Sequence, residues 1–249
     1  MVRLKHWSLW LLLLGWVCSA WAQGPCRFCK GELLLESFTY RDGEYSVCLN
    51  CRKGPRCSQC ANPSPGKAYR DGRQICPSCL KTGMFDKGRV ARLASQVQSF
   101  MQQLLGKEGT GDLPPIQLVD WDEMQTKFVE SGRSMEVAAF YRPYNPEMVY
   151  LMTGETEIDS CGHLAHELTH AWQSRACPSQ DRALKEGMAC WVQYQYLLSR
   201  GARAEAERIT RHQDPDYGAS LVKLLQRSQA LGNARFLQAV RKAKKLGDV

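Results

Sequence analysis

The stretch GHLAHELTHAWQ, residues 162–173, decides which fold and which chemistry are expected of this chain. It contains the pattern HExxH, formed by His166, Glu167 and His170. Residues four positions apart on a helix lie on one face, so both imidazoles can bind one metal ion while Glu167 reaches a water molecule beside it. The neighbours of the motif carry no charge, which is typical of a buried helix. We therefore predict a buried helix that supplies two metal ligands and a general base.

The third metal ligand is left open by the motif itself. The longer pattern HExxHxxGxxH is excluded, because positions 173 and 176 hold glutamine and alanine. Asp214 lies in the segment DPDYG, which matches the pattern of an aspartate-ligand class of metallopeptidases. Glu186 follows His170 by 16 residues, which is room for a loop and a returning helix. We favour Glu186 as the third ligand and keep Asp214 as the alternative.

Three protein ligands would leave one position of a zinc ion open for water, and zinc lowers the pKa of bound water to about 7. Glu167 would take a proton from this water during attack on a peptide carbonyl and pass it to the leaving amine. His212 and Tyr217 are two candidates for the donor that stabilises the oxyanion. A strand expected at 148–152 is a candidate for pairing with an extended substrate. His163, one turn before the motif, is expected to support or cap the helix rather than bind the metal.

Eight cysteines in four CxxC pairs form a second metal-binding region. The segment YRDG occurs at 40–43 and again at 69–72, each time before a CxxC pair, and Asp-Gly is a strong hairpin signal. Each YRDG segment thus lies between two CxxC pairs. We therefore predict that each half of the region folds as a knuckle, a hairpin and a second knuckle around a closed structural zinc site. The first cysteine group is Cys26, Cys29, Cys48 and Cys51, and the second cysteine group is Cys57, Cys60, Cys76 and Cys79. Disulfides are the alternative that a secreted chain allows.

The first 22 residues have the features of a secretory signal peptide. Arg3 and Lys5 precede an apolar run at 9–17, and Ala20-Trp21-Ala22 has the form of a cleavage site. The run is shorter than the ~20 residues that span a bilayer, so we expect a secreted or periplasmic protein with no stable membrane span. Cleavage would lower the net charge from +8 to +6 by removing Arg3 and Lys5. The remaining charge shows no pattern of aromatic and basic residues, so no nucleic-acid partner is expected.

The chain after Thr82-Gly83 is expected to form a separate domain of the α+β class, because the cysteine pairs stop there and helical periodicity begins. A few strands followed by helices are typical of that class. We expect helices at 90–105, at about 120–132, around the HExxH motif and at 181–199, two or three further helices near the C-terminus, and strands at 116–119, 135–141 and 148–152.

The pattern HELTHAW followed by Glu186-Gly187 resembles the DA-one-like metallopeptidases, best known from plant growth regulators, which also carry a LIM module ahead of the peptidase. The cysteine-rich region is similar to a LIM module, although Cys48 stands where such modules often have histidine and the join at 52–56 is longer. The resemblance implies a zincin-like peptidase of the glutamate-ligand class. It implies His166 and His170 as ligands with Glu186, and Glu167 as the base. The signal peptide separates this chain from the intracellular, ubiquitin-linked setting of the plant members.

The resulting organisation is a signal peptide at 1–22, a LIM-like module at 23–82 and a metallopeptidase domain at 83–249. We expect one catalytic and two structural zinc ions, a protein or peptide substrate, and a module that binds the substrate or a protein partner. A fragment 83–249 is expected to cleave short peptides. The alternative function is a catalytically inactive zinc-binding adaptor on a peptidase scaffold.

Three further cysteines lie near the HExxH motif. Cys161 and Cys177 would be about 24 Å apart along one helix. A disulfide needs Cα atoms within roughly 7 Å, so these two cannot pair. Cys177 with Cys190 stays open as a pair.

Overall fold

The computed structural model describes residues 25–31, 37–40, 43–63, 68–107, 109–130 and 137–249. The predicted signal peptide lies outside these residues, and none of the helices they form is both long and apolar enough to cross a membrane. The chain divides into two compact units, Met1–Lys53 and Gly54–Val249. This division does not coincide with the change of composition after Thr82, and it places the two cysteine groups in different units.

In the first unit, the described residues form a pair of antiparallel strands and one short helix. Strand β1 (Ser37–Tyr40) pairs antiparallel with β2 (Gly43–Ser46), and Tyr40 lies opposite Gly43. This pairing confirms the hairpin predicted from the first YRDG segment. Helix α1 (Leu49–Lys53) follows. The buried side chains Cys26, Val47 and Cys48 form a small apolar cluster, against which Cys51 of α1 packs.

The second YRDG segment, residues 69–72 of the second unit, forms a tight turn. Gly72 adopts φ +80°, which a residue with a side chain rarely adopts, and its N–H donates to the Tyr69 carbonyl (2.9 Å). One bridge, between Ala68 and Gln74, replaces a pair of strands. Helix α2 (Pro77–Thr82) follows directly.

The residues that the structure describes in the rest of the second unit form seven α-helices and a three-stranded sheet. In chain order they are α3 (Lys87–Leu105), β3 (Ile116–Val119), α4 (Trp121–Glu130), β4 (Ala139–Arg142), β5 (Met148–Met152), α5 (Glu157–Ala176), α6 (Arg182–Ser199), α7 (Arg203–Thr210), α8 (Gly218–Leu231) and α9 (Asn233–Lys242). A short 3₁₀ turn, Leu246–Asp248, follows α9. This arrangement confirms the predicted α+β class, the predicted helices and the strands at 116–119 and 148–152. The strand predicted at 135–141 is found at Ala139–Arg142, and the described residues 137 and 138 are not part of it.

The sheet has the order β3-β5-β4, with β5 parallel to β3 and antiparallel to β4. The prediction that the strand at 148–152 pairs with a substrate is therefore wrong. Both edges of β5 already bond to neighbouring strands, so its N–H and C=O groups are not available to another chain. Within the described part of the chain, an extended peptide can join this sheet only beside β3 or β4.

The hydrophobic core lies around α5, which packs against α6, α3, β4 and β5. Trp172 of α5 and Trp191 of α6 are fully buried in it. Thr156 caps α5 by accepting the N–H of Asp159, and the Asp181 side chain caps α6 in the same way. The two helices that carry the predicted metal ligands are thus fixed both by packing and by their caps.

The segment with the second cysteine group packs against the α+β part of its unit. The Asp71 carboxylate accepts the backbone N–H of Trp121 at the start of α4 (2.9 Å). The Arg73 guanidinium donates to the carbonyl oxygen of Thr153 (2.9 Å), which lies between β5 and α5. These contacts link the second cysteine group to the turn that precedes the HExxH helix.

Candidate metal centres

The structure brings together the two histidines of the motif and Glu186. His166 and His170 project from α5 with ring centroids 5.0 Å apart and ring planes at 82°. Glu186 comes from α6, and its Oε2 atom lies 3.3 Å from Nε2 of each histidine. The three donor atoms lie within 4.8 Å of one another, so this group could hold a metal ion.

Asp214, the alternative third ligand, is not part of this group. Its carboxylate accepts a hydrogen bond from Arg182 (Nη2···Oδ2 2.9 Å) and another from the backbone N–H of Asp216 (2.9 Å). Both carboxylate oxygens therefore have partners, one at the start of α6 and one in the loop before α8. The geometry favours Glu186 as the third donor, as the spacing from His170 also does.

Two glutamines orient the histidines, and neither of them was expected from the sequence. His170 Nδ1 lies 2.9 Å from Gln173 Oε1, and His166 Nδ1 lies 3.3 Å from Gln193 Oε1. An amide oxygen only accepts, so each Nδ1 carries a proton. Each Nε2 faces the Glu186 carboxylate, and with a metal bound it would lose its proton and present a lone pair to the ion. Gln173 could have been predicted from the sequence, because it follows His170 by three positions and residues at that spacing lie on the same face of a helix.

Gln173 also connects the two ligand helices. Its side chain is buried, and Nε2 donates to the carbonyl oxygen of Lys185 (3.0 Å) and to Gln180 Oε1 (3.1 Å). The same amide group therefore holds His170 and the residue next to Glu186. This fixes the distance between the ligands that α5 and α6 provide.

The electrostatics of the group favour an ionised carboxylate. Burial opposes ionisation of Glu186, but hydrogen bonds from His166 and His170 bring its pKa well below the usual range. Burial alone would lower the pKa of His166, yet contacts with Cys190 and Glu186 raise it. A bound cation would replace the proton in this arrangement, since imidazole must be neutral to act as a ligand.

Glu167 lies beside these donors. It is buried, and together with His166, His170 and Glu186 it lines a cleft of about 510 Å³, which we call the metal cleft. Phe140 of β4, Arg182, Lys185 and Tyr217 also line this cleft. A carboxylate that lines the same cleft as a metal-ligand set is a candidate for a general base.

Tyr217 and His212 occupy different positions with respect to the metal cleft. The Tyr217 ring stacks on His166, with centroids 5.9 Å apart and planes at 8°, and it lines the cleft. Burial, followed by the charges of Glu186 and Glu167, raises the pKa of Tyr217, so its hydroxyl keeps its proton. The His212 ring packs against Tyr217 (centroids 4.9 Å) and is absent from the metal cleft, but it lines an adjoining pocket of about 320 Å³ that His166 and Glu167 also line. Tyr217 is thus the better placed donor of the two.

The remaining candidates near the motif are not in the metal group. His163 Nδ1 lies 2.9 Å from Glu155 Oε2, in the turn before α5. Cys161, Cys177 and Cys190 are all free thiols, so the open pair Cys177–Cys190 is not formed. Cys190 instead has its sulfur 3.9 Å from His166 Nδ1.

Each cysteine group also converges on one point. In both groups the four sulfur atoms lie within 4.8 Å of one another, and all eight cysteines are free thiols. The Cys76 N–H points at Cys57 Sγ (3.3 Å), as backbone groups around a thiolate do. Burial opposes ionisation, but backbone N–H groups lower the pKa of Cys26 to about 6 and that of Cys57 to about 7. Two sets of four sulfur donors of this kind suit a tetrahedral metal ion such as zinc.

No protein-family model, curated protein or solved structure matches this chain. The likeness to DA-one-like metallopeptidases therefore depends on the HELTHAW and Glu186-Gly187 residues themselves.

Proposed function

We propose that this protein is a zinc-dependent peptidase that hydrolyses peptide bonds in the metal cleft. The observation that carries the proposal is the convergence of His166, His170 and Glu186 in a cleft that Glu167 also lines. The resemblance to the DA-one-like family supports the same class of enzyme.

The donor set fits a catalytic zinc ion. Two imidazole nitrogens and one carboxylate oxygen are a common set for zinc that keeps one position open. A zinc ion bound there would supply a Lewis acid for the substrate carbonyl and would lower the pKa of a water molecule. Glu167 takes the proton from this water and delivers it to the leaving amine. The Tyr217 hydroxyl donates to the developing negative charge on the carbonyl oxygen.

The position of β4 supports an extended substrate. Ala139 and Phe140 line the metal cleft, and Tyr141 lines the pocket that continues beyond His170. Among the strands that the structure describes, β4 pairs with β5 along one edge and has no partner strand along the other edge. A peptide that adds to the other edge of β4 would run along the ligands, and its backbone would be held by main-chain hydrogen bonds.

The cysteine groups are proposed as two structural zinc sites. Four thiolates leave no open coordination position, so these sites cannot hydrolyse a substrate. The LIM-like region is proposed to bind a protein substrate or a protein partner, and the secreted or periplasmic location follows from the predicted signal peptide.

Hydrolysis of unfolded casein by the purified chain tests the function. Activity is expected to vanish on chelation and to return with zinc. Glu167→Gln is expected to abolish hydrolysis while zinc analysis shows the metal still bound, because the base is removed and the ligands are not. Residual activity above a few per cent would exclude Glu167 as the base. A wild-type chain that binds zinc but cleaves nothing would favour the inactive adaptor.

A further inference from the structure

A second pocket adjoins the ligands on the side of His170. It has a volume of about 300 Å³, and we call it the tyrosine pocket. Tyr141, Pro143 and the exposed Tyr144 line it, and His170 and Glu186 line it as well. A substrate residue next to the cleaved bond could therefore enter this pocket while its backbone lies at the ligands.

Lys185 is the cation of this pocket. It lines both the tyrosine pocket and the metal cleft, and it is exposed. Its ammonium group makes no ion pair with any residue of the described ranges. Its position is fixed through its carbonyl oxygen, which accepts the Gln173 amide (3.0 Å). Since the same Gln173 side chain holds His170, the base of the Lys185 side chain is anchored relative to a proposed metal ligand.

The other cations near the ligands already have partners. Arg182 pairs with Asp214 (2.9 Å) and Asp216 (3.2 Å). Arg175 pairs with Glu147 (2.7 Å), whose carboxylate also accepts the Tyr141 hydroxyl. Among the residues that line the tyrosine pocket, Glu186 is the only carboxylate, and it faces the two histidines. Lys185 is thus left as a positive charge beside apolar rings.

We propose that the tyrosine pocket takes a carboxylate-bearing residue of the substrate and that Lys185 binds this carboxylate. The proposal rests on the proposed peptidase function. The tyrosine and proline rings would contact the stem of the residue, and the ammonium group would neutralise its charge. A lysine or arginine in the same position would be repelled, so the pocket would select by charge. The carboxylate could come from an aspartate or glutamate side chain or from the C-terminus of a peptide.

Digestion of a mixed peptide library, read by mass spectrometry, shows which residues flank the cleaved bonds. We expect acidic residues, or a free C-terminus, to be enriched at one position next to the bond. The enrichment should disappear in Lys185→Gln and give way to basic residues in Lys185→Glu. Lys223→Gln, which changes another exposed helix lysine, is the matched control and should cleave like the wild type.

Binding is measured separately in Glu167→Gln, which should bind peptides without cleaving them. Four peptides are compared. They carry either glutamate or glutamine at the enriched position, and each of these is made with a free and with an amidated C-terminus. We expect the acidic version to bind about five- to tenfold more tightly, and adding Lys185→Gln should remove the difference. A difference between the glutamate and glutamine peptides shows that the pocket binds a side-chain carboxylate. A difference between the free and amidated peptides shows that it binds the C-terminal carboxylate.

Cleavage without any acidic preference, or a preference that survives Lys185→Gln, would overturn this proposal and leave the peptidase function standing. Acid-dependent binding with no hydrolysis by the wild type would refute the peptidase function but keep the role of Lys185. A chain that neither binds nor cleaves the peptides contradicts both.

Discussion

Replacing Asp71 with alanine tests whether the α+β part of the protein holds the second cysteine group. The Asp71 carboxylate accepts the Trp121 N–H (2.9 Å) and pairs with Arg73 (2.7 Å). The two paired side chains are 1% and 9% exposed. Arg73 also donates to the backbone and side chain of Thr153 (2.9 and 3.1 Å), so one buried pair joins the cysteine segment, α4 and the turn before α5.

The expected loss of stability follows from this burial. Without the carboxylate, Arg73 is a buried guanidinium with no counter-ion, and breaking a buried ion pair costs about 3–5 kcal/mol. The Trp121 N–H loses its acceptor as well, which costs about 1–3 kcal/mol when water cannot replace it. Water that enters the vacated space recovers part of this loss. We therefore expect Asp71→Ala to lower the free energy of unfolding by about 4 kcal/mol.

The neighbouring residue supplies the matched control. Arg70 pairs with Asp120 (3.2 Å), but its side chain is 63% exposed. Exposed pairs contribute about 0–1 kcal/mol, so Arg70→Ala should change stability little. Urea denaturation of the zinc-loaded chain, followed by tryptophan fluorescence, measures both variants. Equal losses for the two variants would refute the reasoning that the buried pair at Asp71 fixes the cysteine segment.

Three further predictions concern the ligands, the oxyanion donor and the division of the chain. Glu186→Ala should lower the zinc content from three ions per chain to two, whereas Asp214→Ala should keep three; the reverse result in metal analysis would identify an aspartate ligand. Tyr217→Phe should reduce kcat on a peptide by about 10²–10³ with zinc content unchanged, and an unaltered kcat would exclude this hydroxyl from the reaction. A fragment 54–249 should fold and cleave short peptides, whereas 83–249 lacks the buried ion pair and should melt at a lower temperature by circular dichroism. Equal melting temperatures would support the boundary that the amino-acid composition indicates.

The sequence by itself determined the local features of this protein. The HExxH spacing predicted a helix with both histidines on one face, because a helix repeats every 3.6 residues and residues four apart face the same way. The YRDG segments predicted two turns, since Asp-Gly favours a tight reversal. The helical periodicity after Thr82-Gly83 and a few strands followed by helices indicated the α+β class. Each of these depends on residues close together in the chain, so their order is sufficient to predict them.

Only the tertiary structure decided which distant segments meet. The strand at 148–152 became the centre of the sheet because β3 and β4 both pair with it, which no local pattern of that strand reveals. Glu186 lies with the two histidines, whereas Asp214 accepts a hydrogen bond from Arg182. The position of Glu186 relative to the histidines depends on how α6 packs on α5. The second cysteine group came to lie with the helices because Asp71 and Arg73 are buried against Trp121 and Thr153. The physical reason is the same in each case: long-range pairing is set by which surfaces exclude water together, and that depends on the whole chain rather than on neighbouring residues.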